Sequence, residues 1–308
     1  MAPRVAFLGT PAVAVPVLRA LAEAAPIAAV FCNADRPAGR GRQLTAPPVK
    51  EAALALGLPV HQPQRWRDPE TRALWDSLRI DLAVVVAYGH LLPGWMLESL
   101  PLGAWNLHFS LLPRWRGAAP VNHAILAGDV ETGVALMRIA PGLDEGPVLA
   151  TARRPIGMQD DAEGLLAALA GDAAALLTAH LPVLLAGSAA PAPQAGEATY
   201  ASKLAKEMAR LDPARPAAEL HRQVRALQPW PGAELETGQG LLKVGAVGGL
   251  APSADAPGTL RWDKAGARLA CGDGQALELT RLQRPGKPMQ PALQALQAFG
   301  PSGVLPGC

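Results

Sequence analysis

The sequence predicts an α/β fold in two parts: a mostly parallel sheet covered by helices, then a smaller domain built as a β-barrel. Three observations carry this. Short β-branched runs alternate with helical stretches through the first half of the chain. The stretch 187–196, GSAAPAPQAG, has the small, Pro-rich composition of a linker. Beyond it, one helical stretch precedes several short strand patterns punctuated by glycine. At roughly 150 residues per domain, 308 residues suit two domains.

Taken in order, Arg4–Gly9, Ile27–Cys32, Leu82–Ala87, Ala104–His108 and Gly133–Ile139 read as strands. Ala12–Ala24, Val49–Leu56 and Pro69–Leu78 read as helices between them, with Asp68 placed to cap the last and Pro69 in its first turn. Such alternation means parallel strands buried on both faces, so ligands belong at the strands' C-terminal ends. Leu165–Leu185 is apolar but carries Asp172 and His180, which suits a buried or amphipathic helix better than a membrane span. After the linker come a helix near Pro216–Leu227 and strands at Leu241–Val247, Thr259–Asp263, Ala267–Ala270 and Ala276–Leu282. The tail 301–308 is expected to fray.

Composition excludes several classes. Half the residues are apolar and 18% are charged, so the chain as a whole is not disordered. A net charge of +2 is too small to make the whole surface a trap for polyanions, so any nucleic-acid contact must come from local basic clusters. Cys32, Cys271 and Cys308 form no C-x-x-C pair, which argues against a disulfide framework or structural zinc and fits a reducing cytoplasm. The six histidines show no H-E-x-x-H or H-x-H spacing, so no catalytic metal is expected.

Three segments are candidates for chemistry, and the first drops out. A dinucleotide site fails at Gly9-Thr10-Pro11, which has one glycine where the fingerprint needs three and a proline that removes a backbone donor. The densest cluster is Asn106-Leu107-His108-Phe109-Ser110-Leu111-Leu112-Pro113. A strand's period of two puts Asn106 and His108 on one face, where an amide and an imidazole can donate to a developing oxyanion or move a proton. A structural pair closing the strand is an equal reading of that segment alone. Gly142-Leu143-Asp144-Glu145-Gly146-Pro147 is an acidic turn whose glycines let the backbone bring Asp144 to another strand end; taken alone it also reads as a solvated turn. A Ser110–His108–Asp144 triad is a poor second, because Ser110 sits on an apolar loop and no G-x-S-x-G elbow exists. Two basic features remain: the loop Asp35–Arg42 with Arg36, Arg40 and Arg42, suited to phosphate, and the stretch with Lys203, Lys206 and Arg210.

The run NLHFSLLPRWRGAAP from Asn106, together with GLDEGP, resembles the signature of the methionyl-tRNA formyltransferases, a branch of the folate-dependent formyltransferases. DRPAGRG, VVVAYG at 84–89, YASKLAKEMAR at 200–210 and QPWP at 228–231 extend the likeness along nearly the whole chain. The resemblance implies a Rossmann-like formyltransferase domain at 1–187, a linker at 188–206 and an OB-like tRNA-binding barrel at 207–308. It implies 10-formyltetrahydrofolate as co-substrate and methionyl-initiator tRNA as acceptor. By motif position, Asn106, His108 and Asp144 are the catalytic set, and Ser110, Leu111, Leu112 and Pro113 line the folate site. Tyr88 and Gly89 border the pterin through backbone groups, and Arg36, Arg40, Arg42, Lys203 and Lys206 meet the tRNA. A cytoplasmic monomer is expected. Phe109 after the histidine and Ala12-Val13 after Gly-Thr-Pro depart from the common pattern, and neither alters a proposed functional group. Two alternatives stay open: a related formyltransferase acting on a small amine, such as a sugar nucleotide or glycinamide ribonucleotide, and a non-catalytic tRNA-binding module.

Overall fold

The structure is a computed structural model that describes residues 2–38 and 43–305. Two compact units emerge: Met1–Pro120, Glu131–Pro155 and Leu166–Ala201 form the first, and Val121–Val130, Ile156–Leu165 and Ser202–Cys308 the second.

In the first unit, β1 (Val5–Gly9), β2 (Ile27–Phe31), β3 (Val60–His61), β4 (Leu82–Val86) and β5 (Ala104–His108) run parallel. β6 (Glu131–Arg138) and β7 (Val148–Pro155) complete the sheet as an antiparallel pair, in the spatial order 7-6-5-4-1-2-3. The order reverses between β1 and β4, which makes the crevice beyond their C-terminal ends the topological switch point of an open α/β sheet. Every residue of β1 and β4 is buried, as expected for central parallel strands covered on both faces. One face packs on Phe31, Trp66, Trp75, Tyr88 and Met96, so much of a small aromatic complement is spent under this sheet. The flanking helices are α1 (Val15–Ala24), α2 (Pro48–Ala55) and α3 (Pro69–Leu78), each with proline in its first turn, where a missing N–H costs no helical bond.

Several expectations need amendment. A 3-10 turn, Ala12–Ala14, precedes α1. Asp68 holds the N-cap position of α3, but its side chain makes no capping bond. Strand β7 was not anticipated. Its residues are half-buried or exposed, and Arg153 and Arg154 break any apolar run, as suits an edge strand. The long helix Ala162–Leu185 is long and apolar enough to cross a membrane by length and composition. It nevertheless buries Leu169, Ala173, Leu177, Leu181 and Leu184 at helical spacing, and its Asp172 pairs with Arg154 of β7 through two bonds of 2.6 and 2.9 Å. The stretch 188–206 is not a free tether either. Ala192 exchanges two main-chain bonds with Val148, and Tyr200–Ala201 pairs in parallel with Arg116–Gly117.

The second unit holds a helix, Ala217–Ala226, and an antiparallel sheet of β8 (Ala233–Thr237), β9 (Gly240–Pro252), β10 (Leu260–Asp263), β11 (Gly266–Ala270), β12 (Gln275–Gln283), β13 (Gln290–Pro291) and β14 (Gly303–Leu305). The path runs 8-9-12-11-10-14, with β13 on β12. Register shifts between Val244 and Leu250 bend the long strand β9, which curls the sheet into an open OB-like half-barrel. Leu220, Val224, Leu235, Trp262, Leu269, Leu277 and Leu282 build its core. Part of the tail read as frayed is strand β14, which pairs with Leu260–Trp262.

Candidate active site

Strand β5 ends with its polar residues on one side. Ala104, Asn106 and His108 alternate with Trp105 and Leu107, and Asn106 is half-buried where its neighbours are buried. Among the described residues the Asn106 amide makes no side-chain hydrogen bond, so both its donors are available at the strand's end.

His108 is 6% exposed and held from two directions. Its Nε2 lies 2.9 Å from the Trp115 carbonyl oxygen. A carbonyl only accepts, so Nε2 carries the proton and donates, and Nδ1 is the nitrogen presented to the site. Nδ1 faces Asp144 Oδ2 at 3.7 Å, beyond direct hydrogen-bond length. The same Oδ2 accepts the Gly117 N–H at 2.9 Å.

Both supports have unusual backbones. Trp115 (φ 62) and Asp144 (φ 50) are non-glycine residues in the left-handed region, a conformation that persists only where surroundings over-determine it. Glycines make the close approaches possible. A Cβ on Gly146 would sit 1.8 Å from the Arg138 carbonyl oxygen, and one on Gly117 2.5 Å from that of Ala201. Gln194 then fastens the acidic turn: its Nε2 donates to the Asp144 carbonyl (2.7 Å) and the Gly146 carbonyl (2.8 Å). Its Oε1 accepts from Arg116 Nε (3.2 Å) and Nη2 (2.9 Å), while Arg116 Nη1 stands 3.5 Å from Glu145.

Ser110 is fully buried and its hydroxyl donates to the Arg114 carbonyl at 2.6 Å, so it closes a turn and is not paired with His108. That disposes of the nucleophilic triad. Leu111, Leu112 and Pro113 follow as a half-buried turn with a cis Leu112–Pro113 bond, directly beyond His108.

At the switch point, the Tyr88 ring is buried between Trp66 and His90, and burial pushes its phenol well above the ordinary range. Its carbonyl, not its ring, faces the polar groups Thr10 Oγ1 and Asn33 Nδ2, each 3.5 Å away. Gly89 follows at φ 83, and His90 Nε2 meets Asn33 Oδ1 at 2.6 Å. Cys32 nearby is a buried thiol, pushed up to about 11 by burial.

Arg36 is exposed on a short ribbon, Arg36–Ala38 against Gln43–Thr45. The ribbon's base is fixed by Lys50, which pairs with Asp35 at 2.7 Å and donates to Gln62 at 2.9 Å. That ammonium holds the Asp35 carboxyl below the usual carboxylate range, helped by the Gln62 amide. Arg40 and Arg42 lie outside the described residues. In the second unit Lys203 is exposed, and Lys206 is exposed at the start of a 3-10 turn, Lys206–Ala209. Sequence reasoning missed Trp115, Gly117 and Gln194 as supports, and also Thr199, whose Oγ1 accepts the Trp115 N–H at 2.9 Å; the one signal for Gln194 was a long polar side chain alone among alanine, proline and glycine.

An open α/β sheet carrying an amide, an imidazole and a carboxylate beyond its central strands, joined to an OB-like half-barrel, defines a transferase of the formyl transferase family, and the chain belongs to that family. The formyl transferase pattern matches residues 3–181, and that of the formyl transferase C-terminal domain matches 203–300. Among named relatives, the chain is 51% identical over 288 residues to a methionyl-tRNA formyltransferase from Xanthomonas axonopodis pv. citri, covering 92% of this chain and 93% of that one. To the methionyl-tRNA formyltransferase of Halorhodospira halophila it is 48% identical over 301 residues, 96% of each chain. A solved N-formyltransferase from Helicobacter canadensis, in complex with folinic acid and dTDP-3-aminofucose, shares the fold at a TM-score of 0.68 and 17% identity, over 90% of this chain and 98% of that one.

Proposed function

We propose that this chain transfers the formyl group of 10-formyltetrahydrofolate to the α-amino group of methionyl-initiator tRNA. The observation that carries the reading is the set at the end of β5: the Asn106 amide, unpaired among the described residues, beside His108, with Asp144 Oδ2 at 3.7 Å from the ring. Relatives named for this activity at about half identity over nearly full length support the choice of acceptor.

In this mechanism the methionyl amine attacks the formyl carbon, forming a C–N bond and a tetrahedral oxyanion. Collapse breaks the bond from that carbon to the folate nitrogen. One proton leaves the attacking amine and one arrives on the departing nitrogen, so no covalent enzyme intermediate is needed. Asn106 donates to the oxyanion from a fixed position. With Nε2–H committed to the Trp115 carbonyl, His108 turns Nδ1 towards Asp144 and the reacting groups. Asp144 orients that edge of the ring and carries the proton between the two nitrogens, directly or through water. At 3.7 Å the imidazole and the carboxylate are close without being directly hydrogen-bonded.

Folate is assigned to the switch-point crevice, against the backbone at Tyr88 and Gly89 and the turn Ser110–Pro113. The acceptor tRNA is assigned to Arg36, Arg40 and Arg42 and to Lys203 and Lys206. Residues 1–187 are taken as the catalytic domain and 207–308 as the tRNA-binding one, with 188–206 joining them. The protein is taken as a cytoplasmic monomer. The test is a competition: 10-formyltetrahydrofolate labelled in the formyl group, with methionyl-initiator tRNA, an amino-sugar nucleotide and glycinamide ribonucleotide as acceptors. Label on the aminoacyl-tRNA alone is expected. Label on a small amine, or on none, refutes the reading.

A further inference from the structure

We infer that Gln194 is a positioning residue for catalysis, and that the segment Ala192–Ala201 is a strap holding both the histidine and the carboxylate in register. The inference rests on the catalytic set proposed above.

Composition gives this stretch the look of a tether, yet its contacts converge on the site. Ala192 is paired to the start of β7 in both directions, Val148 N–H to Ala192 O at 2.8 Å and Ala192 N–H to Val148 O at 2.9 Å. Two residues later the Gln194 amide fills its bonding capacity. Its two hydrogens go to the carbonyls of Asp144 and Gly146, and its oxygen takes two bonds from the Arg116 guanidinium. Five residues further, Thr199 Oγ1 accepts the Trp115 N–H at 2.9 Å, and the Thr199 carbonyl accepts the Arg116 N–H at 2.9 Å. Finally the Ala201 carbonyl accepts the Ala118 N–H at 2.8 Å.

The targets of these bonds matter more than their number. Trp115 and Asp144 are the two left-handed residues that support the catalytic pair. Trp115 holds His108 by its carbonyl, and Asp144 is the carboxylate itself. Each is tied down by a side chain of the same strap, Trp115 by Thr199 and Asp144 by Gln194. Neither tie touches the reacting groups, so the strap acts through them. An amide is also the right group for the task. Rotated by half a turn, or replaced by a carboxylate, it would point oxygen at two carbonyl oxygens.

Gln194→Met keeps the length and removes all four bonds; Gln194→Glu keeps the attraction to Arg116 and sets an oxygen against the turn. Both are expected to lower kcat by about 10 to 100-fold, the scale of a misplacement near 1 Å, with KM for either substrate changed less than about threefold. Combined with Asp144→Ala, Gln194→Met is expected to add nothing, because its effect runs through that carboxylate. Retained kcat in either folded variant, a loss confined to KM, or a full additional loss in the Asp144→Ala background would each overturn the inference. Asp144→Ala alone separates the two levels: if it stays active, the catalytic assignment falls, whereas loss there with Gln194→Met unaffected removes only the strap.

Discussion

Asn106→Ala isolates the chemical role of one side chain unusually well. In most strands, truncating a half-buried asparagine abandons a partner and destabilises the fold by about 1–3 kcal/mol. Here the amide bonds to nothing among the described residues, and the main-chain ladder from Asn106 to Val85 and Met137 does not depend on the side chain. The expected cost in folding is therefore small, about 0.5 kcal/mol or less. The expected cost in catalysis is large. Removing one preorganised oxyanion donor typically lowers kcat by about 10² to 10³, or roughly 2.7–4 kcal/mol of transition-state stabilisation. The assay is steady-state formylation of methionyl-initiator tRNA, beside a urea melt and a tRNA-binding measurement on the same preparation. A fall of two to three orders of magnitude, with the melt and tRNA affinity kept, is the expected pattern. Near-full turnover would refute the oxyanion assignment, and a melt displaced in step with activity would show the amide to be structural.

Gly146→Ala puts a methyl 1.8 Å from the Arg138 carbonyl oxygen, so the acidic turn must move; kcat is expected to fall at least tenfold in the same formylation assay, while a wild-type rate would mean that Asp144 tolerates displacement. Raising salt is expected to weaken tRNA use steeply without touching folate affinity, and Arg40→Ala to do the same at fixed salt, both read from KM for each substrate; a flat salt response would argue against a polyanion acceptor. His221 accepts the Arg225 Nε–H at 3.2 Å through Nδ1, and burial, with Arg225 and Arg222 beside it, lowers its pKa to about 4. The unfolded ring titrates near 6.5, so its contribution is complete above that pH and is lost as pH falls towards about 4. At 2% exposure the loss is expected to approach about 3 kcal/mol in urea melts, and to vanish from the pH slope of His221→Leu.

How much of this was legible depends on the range of the interaction. Strands β1 and β4 are apolar runs buried on both faces, and a run of that kind announces itself locally. The period of two placed Asn106 and His108 together without any coordinates. Strand β7 stayed hidden because an edge strand with Arg153 and Arg154 has no apolar alternation to detect. Strands β13 and β14 stayed hidden because two or three residues carry no period. The supports of the site were illegible for a deeper reason. Nothing local makes a tryptophan left-handed, and one of the bonds that fix Trp115 in that shape comes from a threonine 84 residues away. Gln194 is likewise 50 residues from the carbonyl of Asp144 that it binds.

Those distances bear on how the site stays rigid. A left-handed non-glycine residue costs on the order of 1 kcal/mol or more, and the site contains two, Trp115 and Asp144. A hydrogen bond within a protein contributes about 1 kcal/mol net. A single bond would therefore barely hold either residue, and a loop so held would spend much of its time relaxed. Trp115 is held at both its N–H, by Thr199, and its carbonyl, by His108. Asp144 is held at its carbonyl by Gln194 and at its carboxylate by the Gly117 N–H. Two bonds on each residue exceed the strain where one would only match it. The carboxylate and the imidazole can then stand 3.7 Å apart without closing onto each other.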